Sequence, residues 1–81
     1  MELKVNVITP ETTIYEGLAK SVTAFNEKGK FSVLPEHTNF ISVILDKVII
    51  SGFDGKKEIS FNKGVVMCRE DQIDVYIETA N

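Results

Sequence analysis

Leu3-Lys4-Val5-Asn6-Val7 and Ile73-Asp74-Val75-Tyr76-Ile77-Glu78 carry an apolar residue at every second position. A period of two suits an extended strand with one buried and one wet face. A chain with such runs towards both ends is tied to a β architecture. The apolar inventory agrees: 9 Val, 9 Ile and 6 Thr stand against 4 Leu and 3 Ala, and side chains stiff at χ1 fit a pleated surface better than a helix.

Between the two runs, Thr12 to Leu18, Ser21 to Phe25, Lys30 to Val33, Phe40 to Ile44, Val48 to Ser51, Glu58 to Phe61 and Val65 to Arg69 are short segments divided by Gly, Pro, Asn or charged residues. Many short strands at regular spacing predict a sandwich or a barrel. Gly52-Phe53-Asp54-Gly55 predicts a tight hairpin, and Glu70-Asp71-Gln72 a second one. Thr9-Pro10-Glu11 ends the first strand, because Pro10 lacks an N–H and biases Thr9 towards extended geometry. One stretch admits two readings. Phe40, Ile41, Ile44, Leu45 and Val48 fit a helical spacing of three and four, while the surrounding Val43, Ile49 and Ile50 favour two strands with Asp46-Lys47 as the turn between them.

At 81 residues and 9.1 kDa the chain is expected to form a single domain, 1–81, with a thin core and little room for a large ligand pocket. The net charge of −3 and pI of about 5.0 supply no basic field, so nucleic acid is not an expected partner. No apolar run approaches the roughly 20 residues of a membrane span and no secretory leader is visible, so the expectation is an intracellular protein that does not insert into a membrane. A lone cysteine, Cys68, excludes an internal disulfide and paired-cysteine metal sites. Its setting, Gly64-Val65-Val66-Met67-Cys68, reads as a buried inert thiol.

Catalytic constellations are hard to find. One histidine, His37, and one distant cysteine do not make a nucleophile and base pair. Asp54-Gly55-Lys56-Lys57 lacks the spaced Gly and terminal Gly-Lys-Ser/Thr of a phosphate loop, and Glu70-Asp71 with Asp74 lacks the spacing of a calcium loop. No catalytic residue, cofactor or metal is therefore expected. The segment from Glu27 to His37 differs in kind: it mixes charge, Gly, apolar residues and Pro35, with a titratable ring after a rigid turn. That composition suits an exposed loop, either a connector or a recognition surface.

Several motifs, taken in order, resemble the N-terminal β-sandwich domain of the epsilon subunit family of F-type ATP synthases. Val7-Ile8-Thr9-Pro10-Glu11 followed by Tyr15-Glu16-Gly17 is similar to the family's "V-x-T-P-E … Y-x-G". Gly29-Lys30-Phe31-Ser32-Val33-Leu34-Pro35-Glu36-His37 is similar to "G-E-x-G-I-L-P-G-H". Gly64-Val65-Val66-Met67 stands in the place of "G-G-F-x-E", and Val75-Tyr76-Ile77-Glu78-Thr79-Ala80 resembles "V-x-V-L-A-E-T-A". Each is weak alone, and their shared order and spacing make the likeness specific.

The resemblance implies an all-β, flattened sandwich of two antiparallel sheets, and it favours strands in the ambiguous stretch. It also implies a non-catalytic rotor part, bound to the gamma subunit and resting on the c ring, that couples proton transport to ATP synthesis or hydrolysis. Such a subunit is peripheral, on the cytoplasmic face of the membrane. By the same resemblance Lys28, Gly29 and Lys30 form the loop facing the c ring, and Thr9, His37 and Ser42 face gamma. Phe40 to Leu45 and Val48 to Ile50 are apolar on both faces, more than a thin sandwich needs on one. A docking surface and a second core layer both account for that.

The chain also departs from the family pattern. Lys30 stands where the family usually has Glu. Ser32, Glu36, Lys47 and Lys63 replace frequent glycines, and a side chain at a position needing positive φ costs on the order of 1 kcal/mol. The family usually continues past the position of Asn81 into a hairpin of two helices, associated with inhibition of hydrolysis and, in some members, with ATP binding. Without it neither property is expected. The competing readings are a free-standing β module that binds a peptide or protein, for example by strand addition, and a small enzyme built on His37.

Overall fold

The β-branched runs become strands throughout the computed structural model, which describes residues 2–78. Seven strands follow one another: β1 (Leu3–Ile8), β2 (Thr13–Ala19), β3 (Ser21–Asn26), β4 (Gly29–Val33), β5 (Phe40–Gly52), β6 (Gly55–Arg69) and β7 (Gln72–Glu78). They join edge to edge in the order β2-β1-β7-β6-β5-β3-β4. Every pairing is antiparallel except that of β1 with β7, which run parallel with Val5 opposite Ile73 and Val7 opposite Val75. The all-β sandwich class expected from the sequence is therefore present. Its strands form one continuous mixed sheet, where two separate antiparallel ones were expected. Thr79 and Ala80, which close the last sequence motif, lie outside the described residues.

Among the described residues there is no helix to cover either face of this sheet. Yet Leu3, Val5, Val7, Val22, Ile44, Val48, Val66, Ile73 and Val75 are fully buried. Strands burying one face without helices must pack against other strands, so the sheet folds onto itself. The pairings show where. The second half of β6, Lys63 to Arg69, pairs with β7, which continues to β1 and β2. The second half of β5, Ser51 back to Val48, pairs with β3, which continues to β4. β5 and β6, 13 and 15 residues long, are thus shared by both layers. Phe31 of one layer meets Phe40 of the other edge to face, with ring centroids 6.0 Å apart.

The corner lies where the register between β5 and β6 slips. Leu45 pairs with Lys63 and Lys47 with Ser60, so Asp46 faces two residues, Phe61 and Asn62. This is a β-bulge. Asp46 takes φ 74°, a conformation that Asp tolerates better than most side chains. The buried positions of β6 change parity across it, from Ile59 and Phe61 to Gly64, Val66 and Cys68. Two expectations are corrected here. Asp46-Lys47 does not divide two strands, and the segments at Glu58 and Val65 belong to one strand, because a bulge bends a strand without ending it.

The hairpins use the residues their geometry demands. Gly29 at φ 120° and Gly55 at φ 126° close the two-residue turns Glu27-Lys28 and Phe53-Asp54. Glu70 and Asp71 both have positive φ, 50° and 65°, the signature of a type I′ turn between β6 and β7.

Candidate functional site

The outer face of the first layer carries apolar side chains where solvent would favour polar ones. Ile8 stands opposite Tyr76, Tyr76 opposite Val65, and Val65 opposite Val43. Side chains directly opposite share a face and touch, so these four make a stripe across β1, β7, β6 and β5. Along β5 the stripe widens to Ile41 and Leu45. Ile41 is 64% exposed, Val43 51% and Tyr76 46%. One row over, Met67 lies between Ile41 and Asp74, and the Asn6 side-chain amide donates to Asp74 Oδ1 at 3.1 Å, closing the patch with a polar border. Scattered single apolar residues are ordinary on a surface, whereas a contiguous apolar patch with a polar rim marks a binding surface.

Two shallow grooves adjoin on this face. The first is lined by Ile8, Thr9, Pro10, Val43, Val65 and Tyr76. The second is lined by Asn26, Lys28, Ser42, Val43, Leu45 and Lys63. Val43 and Lys63 border both, so the two grooves are immediate neighbours.

Thr9 and Ser42, both expected to face gamma, thus lie in neighbouring grooves. Thr9 is itself buried and its hydroxyl is occupied: it accepts from the Glu11 and Thr12 amides at 3.3 and 3.1 Å and donates to the Thr12 carbonyl at 3.1 Å. It holds the turn that presents Pro10. Ser42 Oγ accepts from Asn26 Nδ2 at 3.5 Å and donates to the Val43 carbonyl at 3.1 Å. Lys28, expected to face the c ring, shares the second groove with Ser42. Gly29 and Lys30 continue from it into β4, with the Lys28 amide pinned to Asn26 Oδ1 at 2.9 Å.

His37 borders neither groove. It sits in the connection from β4 to β5, exposed, with its ring 5.2 Å from that of Phe40 and Nδ1 2.9 Å from the Thr38 carbonyl oxygen. The preceding Glu36 has φ 69° and donates its amide to Asp71 Oδ1 at 2.6 Å. Of the four replaced glycines, Ser32, Lys47 and Lys63 keep negative φ, and Glu36 alone takes the conformation that favours glycine. Cys68 is buried, and that burial, reinforced by the nearby Asp71 carboxylate, pushes its thiol pKa up. This is the reverse of what a nucleophilic cysteine requires. Sequence reasoning missed Ile8, Val65 and Tyr76. The signal was there in Val65-Val66-Met67-Cys68, a run too apolar for a strand with one wet face.

Comparison with known proteins places this geometry. Residues 2–81 match the family model described as ATP synthase, Delta/Epsilon chain, beta-sandwich domain. The ATP synthase epsilon chain of a Nitratiruptor species is 44% identical over 80 residues, covering 96% of this chain and 62% of the relative. That of Sulfurimonas denitrificans is 37% identical over 81 residues, covering 98% and 62%. The chain therefore spans somewhat under two thirds of these relatives. Among solved structures, a chain of the Euglena gracilis mitochondrial ATP synthase (OSCP/F1/c-ring) superposes with a TM-score of 0.86 at 12% identity, covering 94% of this chain and 50% of that one. A chain of the Tetrahymena thermophila mitochondrial ATP synthase central stalk/c-ring gives 0.76 at 12% identity, covering 95% and 63%. At such identity these two speak for the fold.

Proposed function

The chain belongs to the delta/epsilon family of ATP synthase chains through their β-sandwich domain, and from that membership we propose that it is a non-catalytic central-stalk subunit of an F-type ATP synthase. In this role it binds the gamma subunit, rests on the c ring, and couples proton transport to ATP synthesis or hydrolysis. It is peripheral to the membrane, on the cytoplasmic face, and residues 1–81 act as one domain. ATP binding is not assigned to this sandwich, since the family places it on a helical hairpin outside it.

The observation that carries the proposal is the apolar stripe Ile8–Tyr76–Val65–Val43 with Ile41 and Leu45 beside it. A coupling part must hold two bodies without slipping, and permanent interfaces do so by burying apolar surface that resembles a core cut in half. Gamma is assigned to this stripe, with Thr9 and Ser42 at its margins and His37 facing gamma from the β4–β5 connection, outside the two grooves. The hairpin Lys28-Gly29-Lys30 is assigned to the c ring. Because the stripe crosses four hydrogen-bonded strands, a load applied to it is shared by several backbone ladders, and the sandwich transmits torque as a stiff body. Lys30 presents positive charge where the family usually presents negative, so the c-ring loop it meets is expected to carry an acidic residue.

Co-elution tests the assignment. The chain, mixed at micromolar concentration with the gamma subunit of the same cell, is expected to leave a size-exclusion column with it, and the Val43→Asp variant to leave alone. Failure of the unmodified chain to co-elute overturns the stalk role.

A further inference from the structure

The chain is acidic overall, with 12 Asp and Glu against 9 Lys and Arg, yet one end of the sandwich has the opposite sign. The β5–β6 hairpin carries Lys56 and Lys57 just past its turn, and Lys20 lies beside it, at the corner between β2 and β3. The Lys20 amide donates to the Ser51 carbonyl oxygen at 2.7 Å, and its ammonium stands 4.9 Å from the centre of the Phe53 ring, a cation–π distance. Among the described residues none of these lysines forms an ion pair. Of the carboxylates on the hairpin, Glu58 is engaged by Lys47 at 3.8 Å, which leaves Asp54 alone among them.

A groove opens at this end, between the hairpin and the last residues of β2, lined by Tyr15, Leu18, Ile50, Phe53, Lys56 and Lys57. Ile50 is buried, whereas Leu18 is 53% and Phe53 58% exposed, so an apolar floor lies between apolar shoulders open to solvent. Lys57 stands opposite Ile50 in the ladder and therefore shares its face of the sheet, on the groove side. The walls are held close together: a β-carbon on Gly52 would stand 3.8 Å from the Leu18 carbonyl oxygen.

We propose that this groove is a docking site for a protein segment in which one large apolar side chain is flanked by Asp or Glu. Its volume, 290 Å³, falls just below the range of about 300–1,000 Å³ usual for small-molecule pockets, and it suits a single side chain better than a cofactor. An anchor in a pocket supplies most of the energy of such a contact, and the surrounding lysines steer the approach and select the sign of the partner. A membrane surface is a poorer occupant. The hairpin lies at the Ser21 end of β3, opposite the Lys28 hairpin assigned to the c ring, and its apolar floor is recessed. A second copy is poorer too, since pairing this end with itself about a two-fold axis sets lysines against lysines. The groove shares no lining residue with those around Val43, and it stands whether or not the stalk role holds.

The probe is a capped peptide, Ser-Asp-Glu-Phe-Glu-Asp-Ser, followed by fluorescence anisotropy and by amide chemical shifts of the labelled protein. Saturable binding is expected, with shifts concentrated at Tyr15, Leu18 and Ile50 to Lys57. Replacing the peptide's Phe by Ser is expected to weaken it at least about tenfold, and raising NaCl from about 0.05 to 0.3 M at least about threefold. Lys56 and Lys57 are exposed, so the double variant Lys56→Glu, Lys57→Glu is expected to keep its fold, read by circular dichroism. It is expected to bind the acidic peptide about five- to tenfold more weakly and to prefer a peptide with Lys at the four acidic positions. Absence of shifts in the groove at millimolar peptide, binding indifferent to the loss of Phe, or a preference unchanged in the double variant each overturns the proposal. Self-association of the unmodified chain, or its sedimentation with phosphatidylglycerol vesicles, that the double variant abolishes while the peptide leaves the groove unshifted also overturns it, by assigning this end to a second copy or to a lipid surface.

Discussion

A β-carbon on Gly64 would stand 2.8 Å from the Tyr76 carbonyl oxygen, with Ile77 Cγ2 at 3.1 Å and Phe61 Cε1 at 3.4 Å. The φ of Gly64 lies outside the left-handed region, so glycine is required here by contact and not by backbone freedom. Gly64→Ala is expected to destabilise the fold by about 1–3 kcal/mol, the usual cost of overpacking. Urea denaturation should show a lower midpoint with little change in slope.

Glu36 holds φ 69° beside Pro35. Replacing it with Gly removes a strain on the order of 1 kcal/mol, offset in part by the added freedom of the unfolded chain. Glu36→Gly is therefore expected to raise stability by up to about 1 kcal/mol, read as a higher melting temperature. Glu36→Val, β-branched at the same φ, is expected to lower it.

The Thr9 hydroxyl makes three hydrogen bonds within its turn. Thr9→Val keeps the shape and loses all three, for an expected cost of about 1–2 kcal/mol. Because the hydroxyl is engaged internally, gamma binding by the folded fraction is expected to change little, which titration calorimetry checks.

Burial raises the Cys68 thiol pKa in the folded state, and Asp71 adds to the effect. The folded value therefore exceeds the unfolded one, so the unfolded chain loses its proton first as pH rises. The stability associated with the neutral thiol is intact below the ordinary thiol pKa of about 8.5 and declines above it. Urea midpoints between pH 8 and 10 are expected to fall more for the native chain than for Cys68→Val.

Tyr76→Ala and Val43→Asp remove apolar area, or add charge, on a face exposed to solvent. Both are expected to cost about 1–2 kcal/mol of stability through lost cross-strand pairs and strand propensity, to leave the fold intact, and to weaken gamma binding at least tenfold. A loss of binding matched by a loss of folding would remove the stripe from the interface.

Much of this was legible in the sequence. Strict alternation exposed β1 and β7, and Gly55 with the Glu70-Asp71 pair marked two hairpins. The bulge was not legible, because Asp46-Lys47 has the composition of a turn and only the partner strand shows that one residue there faces two. Nor was the parallel pairing of β1 with β7, since no local signal reports which strands meet across nearly seventy residues. The docking face was half visible: Phe40 to Leu45 is apolar on both faces, but its continuation through Val65 and Tyr76 to Ile8 exists only in cross-strand register. Thr9, Lys28, Gly29, Lys30, His37 and Ser42 came from family likeness, and the fold sets Thr9 in one groove and Lys28 and Ser42 in its neighbour while leaving His37 outside both.

The parallel ladder joining Val5 to Ile73 and Val7 to Val75 also sets a timetable for synthesis. While a ribosome makes this domain, β1 emerges before its neighbour on that side, which follows only after the five strands between them have been translated. Until then half of the first layer has an open seam and its apolar face lacks full cover. Such distant pairing slows folding, and the unfinished nascent chain is the stage at which it most needs shelter from aggregation.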